Sequence, residues 1–224
     1  PDLICILSPS GDHFQTSKIC IANDFDILVE KPLCLKPQEC RELLDLSKKR
    51  GTKIFCAFQN RFNDAVKKTK DLLEENFVGK IISTHISLDW CRMQDYYNNN
   101  WHGKWSTDGG VIAQQAIHHL DTFIYLMGCP KRVIGVGRNV INKLEAEDTF
   151  SALLDIDLYL TATFSASTAF RPNDKEASIN IQGTEGEIRI GGVAINKVSY
   201  RKNGQEFLHQ NEEFKNGFGL SHIK

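Results

Sequence analysis

No apolar run in these 224 residues reaches the roughly 18 that a membrane-spanning helix needs. No basic-then-apolar leader precedes a small-residue cleavage site. Charge of one sign is missing too: Lys and Arg number 27 against 28 Asp and Glu, a net charge of -1. Such a surface favours neither nucleic acid nor an anionic membrane. The seven cysteines are odd in number, scattered, and mostly set in apolar runs such as LICIL and KIFCAF, with no CxxC pair. That pattern reads as buried free thiols in a reducing compartment rather than as disulfides or zinc ligands. There is no internal repeat and no low-complexity segment. The expectation is a cytoplasmic chain whose 41% hydrophobic residues suffice for one sizeable core or two smaller ones.

The first quarter of the chain alternates between two periods. Leu3 to Leu7 is a continuous apolar strand closed by Ser8-Pro9-Ser10-Gly11, and an amphipathic stretch from Phe14 to Asn23 leads to a second strand, Ile27 to Val29. PQECRELLDLSKKRG then has proline at a helix start, Cys40, Leu43, Leu44 and Leu46 at helical spacing, and basic residues before Gly51. KIFCAF is a third buried strand. Strand, helix, strand, helix, strand with short joints is the pattern of a parallel sheet with right-handed crossovers. A helix over Asp64 to Glu75 leads out of it. From Gly79 the runs GKIISTHISLDW, KRVIGVGRNVI, TFSALLDI, LYLTATFSAS, ASINIQGTEGEIRI and AINKVSY read as strands, with one long helix, about Gly110 to Met127, inserted early. The fold class is thus α/β plus α+β. A partial doubly wound parallel-sheet domain over residues 1–62 precedes a mostly antiparallel open-sheet domain over residues 63–224. Three parallel strands are a poor stand-alone core, so the chain is expected to be a fragment or to lack its ends.

Two stretches carry chemistry. FDILVEKPLCLKP ends a parallel strand on Glu30 and Lys31, where open α/β sheets bind ligands, and Pro32 restricts the backbone from which the ammonium leaves. Alone, this pattern also fits a solvated strand end. DGGVIAQQAIHHLDTFIYLMG, read as a helix, puts Gln114, His118 and Asp121 on one face at i, i+4 and i+7, with His119 turned about a hundred degrees away. A metal reading through His118, His119 and Asp121 is weaker, because adjacent histidines point to different faces.

These residues resemble a family. Ser-Pro-Ser-Gly-x-His ending at His13, Glu30-Lys31-Pro32, QNRFN at Gln59 to Asn63, GKI at Gly79 to Ile81, and a glycine pair followed by His-x2-Asp at Gly109 to Asp121 occur in the order found in the Gfo/Idh/MocA oxidoreductases. The resemblance covers nearly the whole chain. It implies a Rossmann domain, an open-sheet second domain that pairs subunits, NAD as cofactor with NADP left open, and oxidation of a sugar hydroxyl by hydride transfer to nicotinamide. YYNNNWHGKWSTDGG, ASTAFRPND and QGTEGEIRI look most like the branch that oxidises UDP-N-acetyl-glucosaminuronic acid at C3, a step towards lipopolysaccharide and other surface-polysaccharide sugars. By the same resemblance Lys31, His118 and Gln114 are catalytic. Ser8, Pro9, His13, Glu30, Lys31 and Gln59 meet the cofactor, and Asn60, Arg61, Trp101, Trp105 and Asp121 meet the substrate. No metal is implied, and no nucleic acid or membrane partner. A homo-oligomer, dimer or tetramer, is implied, held by a sheet face expected to carry Leu, Ile, Phe and Tyr. The chain departs from the pattern at Gln114, where many members have Asp and the nucleotide-sugar branch Asn. It also lacks the Gly-rich pyrophosphate loop, so roughly 60 to 70 residues are expected before Pro1. A sugar or dinucleotide sensor on the same fold is the alternative.

Overall fold

A computed structural model describes residues 1–210 apart from Asn100, Leu158 and Val193. The first unit is a three-stranded sheet, β1 (Leu3–Ile6), β2 (Asp26–Glu30) and β3 (Ile54–Ala57), in that order and all parallel. Helices α1 (His13–Ala22) and α2 (Pro37–Arg50) make the crossovers. α2 starts on Pro37, carries Lys48, Lys49 and Arg50 in its last turn against the helix dipole, and stops at Gly51, whose φ of 73° returns its N–H to the Ser47 carbonyl. Ile6, Ile21, Ile27, Val29 and Leu43 close a small core between strands and helices.

The second unit is larger. α3 (Asp64–Glu74) precedes β4 (Ile81–Asp89), a one-turn helix α4 (Gln94–Tyr97) and α5 (Ile117–Met127). Seven strands follow: β5 (Arg132–Arg138), β6 (Thr149–Asp155), β7 (Thr161–Ser167), β8 (Glu176–Gly183), β9 (Gly186–Gly191), β10 (Lys197–Lys202) and β11 (Gln205–Gln210). With β4 they form one eight-stranded sheet, β11-β10-β9-β8-β4-β7-β6-β5, parallel only between β4 and β7. Ile86, Leu88, Phe164, Ile179, Ile181, Ile188 and Ile190 on its inner face pack with Val66 and Leu72 of α3 and Phe123 of α5. Among the described residues no helix is long and apolar enough to cross a membrane.

Two sequence expectations need correction. The run ending at Tyr200 continues through Asn203 and Gly204, both at positive φ as a two-residue hairpin turn demands, into the unexpected strand β11. The open face of the large sheet is also not the apolar surface expected. Ser151, Ser165, Ser87 and Ser178 stand in register across β6, β7, β4 and β8. The next row runs Leu153, Thr163, His85 and Asn180. Strict inside-outside alternation sends the large aliphatics of the central strands inward and leaves hydroxyls outside. Exposed apolar side chains on this face stand at its two edges, Ile134, Val136 and Leu153 on β5 and β6 and Leu208 on β11.

α5 buries one polar ring. His119 is 1% exposed, meets Trp90 edge-on at 5.9 Å, and among the described residues has no hydrogen-bond partner for either ring nitrogen. Burial, with His118 adding to it, lowers its pKa to about 3. The unfolded chain takes up this proton near 6.5 and the folded chain does not. The stabilisation is therefore complete above 6.5 and is lost as pH falls from there towards 3. His119→Phe keeps a flat ring against Trp90 and removes both orphan nitrogens. It is expected to match or exceed the parent's stability at neutral pH, and to escape about 2 kcal/mol of the parent's loss on going to about pH 5. Urea titrations of both proteins at the two pH values check this; an identical acid-side loss would refute the buried-neutral reading.

Candidate active site

The site is assembled where the two units meet. Lys31 leaves the carboxyl end of β2, followed by Pro32 across a cis bond. Its Nζ crosses to the segment ahead of α5 and donates to the main-chain oxygen of Gln114 at 2.7 Å and to Gln114 Oε1 at 2.8 Å. An ammonium has three donors, and among the described residues nothing accepts the third. Burial lowers the Lys31 pKa from 10.5, while the carboxylates of Glu30 and Asp108 oppose the shift.

The helix expected over Gly110 to Met127 does not begin as an ordinary α-helix. Ile112–Ala116 is a wide π turn, and regular α5 starts only at Ile117. Such turns recur at functional sites, and here the wide turn carries both oxygens that hold Lys31. Its entry needs the glycine pair. Gly109 and Gly110 have φ of 79° and 77°, and a Cβ on Gly110 would collide with the Glu147 carboxylate. That carboxylate takes the N–H of Ile112 at 3.1 Å, and the Glu147 carbonyl takes that of Val111 at 3.0 Å. The start of the segment is thereby tied to β6.

His118 follows one turn after Gln114. It is half-buried, its Nδ1 is buried without a partner, and the ring of Phe58 meets it edge-on at 6.4 Å. Burial, and then the charge of Lys31, lower its pKa to about 4. The imidazole is therefore neutral near pH 7 and able to accept a proton. Lys31 is brought to Gln114, 83 positions on in sequence, and its charge reaches His118 one turn beyond.

Other candidates fall elsewhere. His13, expected at the cofactor, is 1% exposed, with its ring nitrogens 2.7 Å from the Pro32 carbonyl and 2.9 Å from that of Ser8. It ties the loops after β1 and β2 together, and its side chain is buried. Ser8 is half-buried with an unpartnered Oγ, Pro9 is exposed, and Glu30 accepts the Lys31 N–H at 3.1 Å. Gln59 and the buried Asn60 lie in the single 3-10 turn after β3. Arg61 and Asp121, both expected on the substrate, are bonded to each other through two parallel contacts of 2.8 and 2.5 Å. Trp101 packs on His102 at 3.7 Å, and Tyr96 stacks on that ring at 4.1 Å. Trp105 is 54% exposed and lines a groove of about 670 Å³ with Ile112, Ala113, Glu147 and Phe150; none of Lys31, Gln114 and His118 borders it.

Sequence reasoning missed Phe58, an ordinary core residue by type, and Asp108. The latter is 1% exposed, takes the Gly103 N–H at 2.8 Å on one oxygen, and has no described partner for the other. Burial raises its pKa to about 6, with Lys31 opposing. Its place directly before the glycine pair was the available signal. His118 and His119 face different neighbours, and among the described residues no three His, Cys, Asp or Glu side chains are placed to hold a metal ion.

A nicotinamide ring fits what is present. Ser8, Lys31 and Gln59 follow the carboxyl ends of three parallel strands, and the orphan Ser8 Oγ lies among them. Residues 1–58 match the model of an oxidoreductase family with an NAD-binding Rossmann fold, and residues 66–189 match the GFO/IDH/MocA C-terminal domain. The WlbA dehydrogenase of Bordetella pertussis, crystallised with NADH and UDP-GlcNAcA, is similar at a TM-score of 0.87 and 28% identity, over 90% of this chain and 59% of that one. An uncharacterised oxidoreductase of Streptococcus pneumoniae is 24% identical over 95% of this chain and 59% of its own length. D-glucoside 3-dehydrogenase of Escherichia coli is 24% identical over 58% of this chain and 37% of its own. This chain therefore spans about six-tenths or less of these relatives. With Lys31 in the one matched region and Gln114 and His118 in the other, the chain belongs to the Gfo/Idh/MocA family of oxidoreductases, its first unit on that family's NAD-binding Rossmann fold.

Proposed function

We propose that this chain carries the nicotinamide-side and substrate-side residues of an NAD-dependent dehydrogenase acting on a secondary hydroxyl of a sugar or nucleotide sugar, with UDP-N-acetyl-glucosaminuronate C3 as the favoured target. The observation that carries the reading is the Lys31 ammonium held on Gln114 beside a neutral His118. WlbA's bound ligands and the name of the glucoside relative support the substrate class.

A secondary alcohol is oxidised only as its proton departs, so the site needs a base and a cation for the developing alkoxide. His118, kept neutral by burial, takes the proton. The third N–H of Lys31 meets the oxygen, and the two bonds to Gln114 aim it. Gln114 is then a lysine-positioning residue, since a neutral amide accepts the ammonium's hydrogens and cannot take a proton from substrate. When bound, NAD supplies the electron acceptor, with Ser8, Glu30, Lys31 and Gln59 as the residues that would hold the nicotinamide end. A ligand-binding member without turnover is the second reading, favoured by Gln114 being unable to titrate.

Association belongs to the same proposal. Ile134, Val136 and Leu153 towards the β5 edge, with Leu208 at the β11 edge, are exposed apolar side chains of the open face that a second subunit would cover. Light scattering on the full-length protein at micromolar concentration is expected to give a dimer or larger; a monomer would remove this part.

His118→Ala is expected to lower kcat by about a hundredfold to ten-thousandfold with little change in NAD affinity, and Lys31→Ala by a similar factor. Gln114→Asn, which keeps the amide, should cost less than about tenfold. NADH formation with UDP-N-acetyl-glucosaminuronic acid, D-glucosides and plain hexoses measures this on the full-length protein. Turnover of none of them by wild type would favour the binding-only reading, and full activity in His118→Ala would displace the base.

The pH profile gives an independent check. The base works when unprotonated, so kcat/KM should hold on the acid side down to the His118 midpoint at about 4. On the alkaline side it should fall below the ordinary 10.5 of lysine, because Lys31 must be charged and burial lowers its pKa. An acid limb at an ordinary histidine value would place His118 in water.

A further inference from the structure

We infer that Arg61 and Asp121 form a latch that positions His118, by clamping the segment after β3 onto α5 so that Phe58 stays packed against the imidazole. The inference rests on His118 being the base and assigns its orientation to a pair expected to bind substrate.

Asp121 lies one turn beyond His118, on the same side of α5. Both of its oxygens are used by Arg61: Nε donates to Oδ2 at 2.8 Å and Nη2 to Oδ1 at 2.5 Å. The carboxylate is 8% exposed, so without its partner it would be a buried charge with nothing to answer it. The guanidinium is held on two further sides, 5.7 Å from the Phe58 ring and 5.3 Å from that of Tyr125. Tyr125 is fixed in turn by Lys70, which donates to its hydroxyl at 3.1 Å. Phe58 cannot drift from Arg61, because the Arg61 N–H donates to the Phe58 carbonyl at 3.3 Å and the Phe58 N–H to the Cys56 carbonyl at 3.0 Å. One short turn thus ends at one side on β3 and at the other on a two-bonded clamp. Between them sits the ring that touches His118.

His118 needs such support. Its Nδ1 has no hydrogen-bond partner among the described residues, whereas catalytic histidines are usually oriented through that second nitrogen. Here an aromatic edge and its anchor take that role. The charged group that bears on His118 is Lys31, and its titratable neighbours on α5 are His119 and, one turn on, Asp121, whose charge Arg61 answers.

The test uses the full-length protein with Arg61→Lys, which keeps the charge and loses the planar fork, Asp121→Asn, which keeps the shape, and Phe58→Leu, which removes the ring and leaves the salt bridge. Ring signals of His118 are assigned by their loss in His118→Gln, and each variant is titrated by NMR. A freed imidazole gains water, so all three variants should raise its midpoint from about 4 by about one unit or more towards 6.5. They should also lower kcat about tenfold with the sugar KM changed less than about twofold. If Arg61→Lys and Asp121→Asn instead raise KM tenfold and leave both kcat and the titration at wild type, the pair is a substrate ligand and the latch is overturned. A Phe58→Leu protein with an unmoved titration overturns it as well, even if either polar variant fails to fold. The titration needs no turnover, so it decides the latch even where the dehydrogenase reading fails.

Discussion

One contact sets the geometry of everything described above: the Lys31 ammonium on the two oxygens of Gln114, 83 positions away in sequence and in the other unit of the chain. A lysine loses more side-chain entropy on being fixed than almost any other residue. This one is also desolvated, as its lowered pKa records. Both penalties are offset only where the acceptors are already in place and charge-assisted. The wide turn at Ile112–Ala116 does that, presenting a main-chain oxygen and an amide oxygen of one residue to the same ammonium. Removing either end would leave the two units joined by the remaining contacts, among them the Arg61–Asp121 pair and the Gly11 N–H on the Thr107 carbonyl.

The acceptors owe their placement to small backbone features. Gly109 and Gly110 let the chain turn at positive φ, Glu147 takes the first N–H groups of the segment, and Asp108 closes the preceding loop onto Gly103. Asp108, Glu147 and Asp148 are all buried. Asp148 is well paid in partners, accepting from the N–H groups of Val140, Ile141 and Asn142. Asp108 and Glu147 each keep one oxygen without a partner, and burial raises both. Carboxyl groups that hold protons more readily than usual thus lie near the lysine's anchor, and the Asp108 carboxylate, when ionised, favours the charged lysine.

Much of the fold was legible in the sequence because its signals are local. Uninterrupted apolar runs announced the parallel strands, Pro37 and Gly51 bounded α2, and the glycine pair marked the opening of the catalytic segment. What was illegible is non-local. A 3.6-residue reading of Gly110 to Met127 cannot reveal a π turn, whose cause is the hold of Glu147 and Lys31 from other elements. His13 is indistinguishable in sequence from a ligand-facing histidine, and only the third dimension shows its two nitrogens spent on Pro32 and Ser8. Arg61 and Asp121 each look free to bind a polar substrate until the fold sets them against each other. The open sheet face was misjudged for a different reason. Apolar residues were counted per strand, although alternation sends them to one side and serine and threonine to the other.

The charges of the site depend on one another in a way that favours a closed cleft. Lys31 lowers the proton affinity of His118, so a charged lysine keeps the imidazole unprotonated, and burial pushes both groups towards their neutral forms. Burial thus keeps the imidazole neutral and works against the cation. Glu30 and Asp108 act on Lys31 alone, restoring the charge that burial opposes. Water entering the cleft would relax both groups to ordinary values. His118 would then carry a proton over much more of the acid range, and the lysine's field would be screened within the cleft. The contacts that exclude water from the imidazole, Phe58 foremost, therefore set the protonation state of the site as much as its charges do.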